Sequence, residues 1–214
     1  MKIGELATES RFEMEQSMNP QNFEVMVTPQ MLNNFFPLFQ KGVRVICNTQ
    51  CTLENLLNEQ FGIEPEYIKN RITTIFLNNR AIDAVGKTMV NAGDSLALSA
   101  SMPGLVGATM RRGGYLAAMR GAMTYHQDEI VENKKNSWIS LKLFNLLLPE
   151  LSPGFLKQGI LINGVELKRF LKQQDENGCP IKYVPVNAAD VSVILEETSC
   201  CCENDFLFKV YLKG

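Results

Sequence analysis

The chain has 214 residues, 45% of them hydrophobic and 21% charged, with 21 basic against 23 acidic side chains. That length and apolar fraction suffice for a buried core in one large domain or two small ones, and exclude a disordered chain, a collagen-like repeat and a heptad rod. A net charge of −2 gives no overall attraction to nucleic acid or anionic lipid, so such contacts would need a local basic patch.

Residues 1–22 are polar and Met-rich, with Asn19-Pro20 as a turn signal, and predict a loosely held arm. Glu5, Glu9, Arg11, Glu13 and Glu15 interrupt any apolar run of signal-peptide length. No stretch reaches the ~18 apolar residues of a spanning helix; the nearest, 96–110, is broken by Pro103, Gly104 and Gly107. The expectation is a soluble, cytoplasmic chain without a membrane partner, its six cysteines kept as thiols. Thr28-Pro29 reads as a helix N-cap followed by proline at the first helical position, with Met31, Leu32, Phe35 and Phe36 at helical spacing and Pro37 limiting or kinking the helix. Val43–Ile46 is a short β-branched run. Thr52 can cap a helix with Leu53, Leu56, Leu57 and Phe61 on one stripe, and Gly62 stands where a left-handed terminating residue is expected.

A polar connector, Glu64-Pro65-Glu66, leads to a strand by composition at Ile72–Leu77. Asn78-Asn79 suits a tight turn, Val90–Asp94 forms a second turn, and Ser95–Ser99 alternates as a half-buried strand does. This order of strand, helix, strand, turn, Gly-Asp turn and strand resembles the β-grasp fold of ubiquitin-like sulfur carriers. The group Val90–Asp94 with Leu96 and Leu98 is similar to the V-x-x-G-D-x-L-x-L ending of thiamine- and molybdopterin-type carriers. The resemblance covers about a third of the chain and implies a small mixed sheet curled about one helix.

Beyond residue 101 the pattern is less regular. Residues 102–125 are rich in small side chains and Met and carry Arg111, Arg112 and Arg120. Residues 127–137 are polar, Trp138–Leu148 is strongly apolar, and Ser152-Pro153-Gly154 punctuates it. Ile160–Ile162 reads as a strand entering a turn at Asn163-Gly164, and Val165–Gln173 as a basic helix. Val191–Leu195 and Phe206–Leu212 read as paired strands.

Met110-Arg111-Arg112-Gly113-Gly114 is similar to the di-glycine tail of the same carriers, whose chemistry needs a terminal glycine carboxylate. Here the pair is internal, so that role would require cleavage after Gly114. Two other readings fit the segment. Gly114, Ala118 and Ala122, with Ala117 and Gly121, would give a small-residue helical face for close packing or self-association. Alternatively, the Gly113-Gly114 amides and Arg111, Arg112 and Arg120 would hold an anion or a partner. Gly86-Lys87-Thr88 lacks the first glycine of a P-loop, Ala81 standing in its place, and reads as a turn. Cys200, Cys201 and Cys202 are metal candidates by type only, because adjacent cysteines splay apart, and Cys47-x₃-Cys51 spans a strand end and a helix start. The single histidine, His126, would have to serve any triad, and no nucleophile elbow accompanies it. Lys157, Lys168, Arg169 and Lys172 have only Phe170 close among aromatics, and Phe170 is expected to face the core, which argues against single-strand nucleic-acid binding.

The fold class expected is α+β. An N-terminal arm and helix (1–39) would precede a β-grasp-like unit (40–101), a Gly/Met-rich basic connector (102–137) and a second α+β portion (138–214). With no complete catalytic constellation and no implied cofactor or metal, the expected function is non-enzymatic: binding or assembly with a protein partner or a second copy. The alternative is a sulfur-carrier or cofactor-biosynthesis role released by cleavage after Gly114.

Overall fold

The computed structural model describes residues 20–123, 137–176 and 205–213. The fold is α+β, a mixed eight-stranded sheet with helices packed against it. Strand β1 (Gln21–Val27) leads into a 3₁₀ segment (Pro29–Phe35) and helix α1 (Phe36–Lys41), then β2 (Val43–Cys47) and β3 (Cys51–Thr52). Helix α2 starts at Leu53–Asn55 and continues with π geometry over Leu56–Gln60; α3 is Pro65–Asn70. Next come β4 (Thr74–Leu77), β5 (Arg80–Ala81), β6 (Met89–Val90) and β7 (Ser95–Ser99). Helix α4 (Gly104–Met110) and a second 3₁₀ segment (Tyr115–Met123) precede β8 (Ser137–Phe144), α5 (Leu147–Gln158), β9 (Ile160–Asn163), α6 (Gly164–Glu176) and β10 (Asp205–Leu212).

The sheet order is β1-β10-β9-β2-β8-β7-β4-β5, with β3 and β6 forming a separate pair. β7 runs antiparallel to β4 and parallel to β8, and β8 runs antiparallel to β2. Strands from 40–101 and from 137–212 therefore interleave in one sheet. β8 shows why it takes a central place. Ile139, Leu141 and Leu143 point to one face and are fully buried, while Trp138, Ser140, Lys142 and Phe144 alternate onto the other. On the helical side Phe35 lies 5.2 Å from Phe170, Phe23 lies 5.7 Å from Phe208, and Phe61 meets Phe155 edge-on at 5.0 Å. On the opposite face Arg44 lies over the Trp138 ring at 5.6 Å and forms a two-pronged ion pair with Asp205.

The local signals behave as chemistry requires at several points. Thr52 Oγ1 accepts the Asn55 N–H at 3.2 Å, and Gly62 has φ +68°. Asn78 and Asn79 both adopt positive φ in the β4–β5 turn. The buried Asp94 carboxylate takes the Asn91 N–H at 2.7 Å and the Asn78 amide at 2.8 Å, so the Gly-Asp turn is stapled to the neighbouring hairpin.

Other elements differ from the expectation. Pro37 does not end its segment but lies in the first turn of its α-helical part; Phe36–Lys41 is α-helical and Pro29–Phe35 is 3₁₀. Proline fits the first turn of a helix, where its missing N–H costs nothing. Helix α5 runs through Ser152-Pro153-Gly154. Asn163 is an N-terminal cap, its Oδ1 taking the Val165 N–H at 2.8 Å, and β9 passes straight into α6. Both sides of β10 are occupied, β1 pairing in parallel and β9 antiparallel. The expected strand at 191–195 lies outside the described residues. No helix among the described residues is long and apolar enough to cross a membrane.

Candidate functional site

The Met110–Gly114 segment folds back onto the hairpin that carries Asp83. Arg112 is fixed at both ends. Its N–H donates to the Thr73 carbonyl at 2.8 Å, and its Nη2 donates to the Ile68 carbonyl at 2.6 Å and the Lys69 carbonyl at 3.3 Å. A cation thus meets the C-terminal carbonyls of α3, where the helix dipole favours it. Gly113 donates its N–H to Asp83 Oδ1 at 3.0 Å, and Arg120 Nη2 reaches the same oxygen at 2.7 Å. The Gly114 N–H is closed onto the Arg111 carbonyl at 3.1 Å. The anion that these groups hold is the chain's own Asp83. Arg111 itself is exposed.

Burial would raise the Asp83 carboxyl, but the hydrogen bonds from Arg120 and Gly113 and the nearby Arg112 charge outweigh it and hold the carboxyl below its ordinary range. Arg120 is only 2% exposed. Its Nε and Nη1, and Arg112 Nη1, are buried with no acceptor among the described residues. Desolvation pulls the Arg112 guanidinium down, with Asp83 working against it. Each orphaned donor carries a cost of about 1–3 kcal/mol. Such a cost is tolerated where a surface must be held in a fixed shape.

Above this charged base the apolar side chains point outward. Tyr115 is 98% exposed, Leu105 69%, Met119 67% and Val106 60%, half of the large hydrophobic residues so exposed among the described residues. No side chain from 101–121 belongs to the central core cluster. Gly107 lets α4 pack against the chain just before it, because a Cβ there would stand 1.8 Å from the Met102 carbonyl oxygen. The small-residue face predicted for 114–122 does not form. The segment is 3₁₀ and is broken at Gly121 (φ 53°, ψ −123°), so residues four apart do not line up.

The remaining sequence candidates are placed as follows. Burial, with Cys51 adding to it, pushes the Cys47 thiol up to about 12. Burial also raises Cys51, although a backbone hydrogen bond and Gln60 at 3.3 Å pull the other way. Neither is in a disulfide, and a thiol raised in this way is a poor nucleophile. Gly86–Thr88 is a turn closed onto the Ala84 carbonyl. Phe170 is buried against Phe35, while Lys157, Arg169 and Lys172 are exposed. Among the described residues no group of three or more His, Cys, Asp or Glu side chains could hold a metal. His126, Cys179 and Cys200–Cys202 lie outside the described residues. Asp83 is the partner that sequence reasoning missed; an isolated acid beside a two-residue strand gives no local sign of it.

No family model, curated protein or solved structure matches this chain.

Proposed function

We propose that the chain is a non-enzymatic binding or assembly protein, in which a β-grasp-like sheet carries the 104–119 face to a protein partner or a second copy. One observation carries the reading: Leu105, Val106, Tyr115 and Met119 are exposed on a segment whose Arg112 and Arg120 are locked inward. Contiguous apolar side chains on a rigid base are the usual anatomy of a contact surface. The antiparallel β4–β7 pair supports the β-grasp resemblance, with β8 supplying from downstream the strand parallel to β7.

The carrier alternative draws less support, because Arg112, Gly113 and Gly114 are each hydrogen-bonded into the fold and would have to be stripped away to form a free tail. Two measurements in native cells test the proposal. Intact mass should report a full-length chain, and a photo-crosslinker at position 115 should trap a discrete protein adduct that one at Lys157 does not. A species ending at Gly114, or no adduct at 115 at any concentration, would overturn it.

A further inference from the structure

A concavity of about 310 Å³ lies between α3 and α5. Its floor is apolar: Phe61, Ile63, Leu151 and Phe155. Gly62 and Gly154 leave it open, since a Cβ at either would meet nothing within 4 Å. The rim is acidic. Glu150 is already satisfied, holding Arg71 through both carboxylate oxygens, with Arg71 Nε at 3.0 Å, and accepting the Tyr67 hydroxyl. That bridge keeps the walls together, because it ties the end of α3 to α5. Glu64, on the same rim, is exposed and has no side-chain partner among the described residues.

The lining thus combines aromatic surface, one unneutralised carboxylate and no free cation: Arg71 is consumed by Glu150, leaving a net negative mouth. We propose that this cleft binds a small organic cation, with an ammonium group at Glu64 and an apolar or aromatic body against Phe61 and Phe155. The volume lies at the lower end of the range for small-ligand sites, about 300–1,000 Å³. An anion of the same shape meets repulsion at Glu64, and a neutral analogue loses the charge contact.

Amide-resolved NMR titration of the full chain with benzylammonium, benzyl alcohol and benzoate tests this site without reference to the 104–119 face. Benzylammonium should give saturable shifts at Phe61, Gly62 and Gly154, with benzyl alcohol about threefold weaker and benzoate giving none. The threefold margin is what a solvent-exposed ion pair supplies. Glu64→Gln should bring the ammonium down to the level of the alcohol, and Gly154→Leu, which fills open space on a helix, should abolish all shifts. No saturable shift with benzylammonium, equal binding of the three probes, or an unaltered affinity in Glu64→Gln would overturn the proposal.

Discussion

The sheet and the 104–120 segment obey opposite rules. In β8 the apolar residues Ile139, Leu141 and Leu143 face inward, and the outward positions Ser140 and Lys142 are only partly covered. Twenty residues earlier in sequence, Arg120 is buried and Arg112 half-buried, while Leu105, Val106, Tyr115 and Met119 lie in solvent. The hydrophobic effect accounts for the first region on its own. It opposes the second, which persists because specific polar bonds to Asp83, Ile68, Lys69 and Thr73 hold it. The contrast separates a region held together by apolar burial from one held together by polar bonds.

The comparison can be broken first at Asp83. Replacing it with Ala strands the Arg120 guanidinium, whose side chain is fully buried, and should cost about 2–3 kcal/mol by urea unfolding at neutral pH. That is less than a fully buried pair would lose, since the Asp83 side chain is 40% exposed. Arg120→Met should cost less than Asp83→Ala, because Asp83 can then turn to water and keep the Gly113 N–H. The gap between wild type and Asp83→Ala is also pH-dependent. Because the folded carboxyl titrates below its unfolded value, its contribution is complete above the ordinary Asp range and disappears as pH falls through the lowered folded value. Equal sensitivity of the two variants, or a gap that widens in acid, would contradict the assigned geometry.

A smaller effect should follow at Gly107. Gly107→Ala forces the Met102 carbonyl away and should cost about 1–3 kcal/mol, read as faster hydrogen exchange confined to 102–120 with the sheet strands unchanged. Exchange rising equally in β7 and β8 would mean that the two regions are one cooperative unit.

Local chemistry was readable in the sequence where a single residue decides it. The Thr52 cap, the Asn78-Asn79 turn and the left-handed Gly62 depend only on their own backbone and immediate neighbours. Pairing was not readable. β8 sits between β2 and β7, and no feature of Trp138–Leu148 names those neighbours; the apolar run also hides the change from strand to helix at Asn145, whose φ is +56°. β1 carried its own signal, the alternation of Phe23, Val25 and Val27, which the preceding polar stretch and Asn19-Pro20 obscured. In the candidate site Arg112, Gly113 and Arg120 stand out by composition. Asp83 and the outward-facing Leu105 and Tyr115 do not, since apolar patterning in a sequence is read on the premise that such residues are buried.

The double variant Leu105→Ser/Tyr115→Ser, measured for unfolding free energy and for adduct formation from a crosslinker at Met119, tests the central claim most directly. The account predicts stability within about 0.5 kcal/mol of wild type together with loss of the adduct. A fall of the size that core truncation gives, about 2–5 kcal/mol, would show that these side chains pack the fold, and the claim of a presented surface would fail.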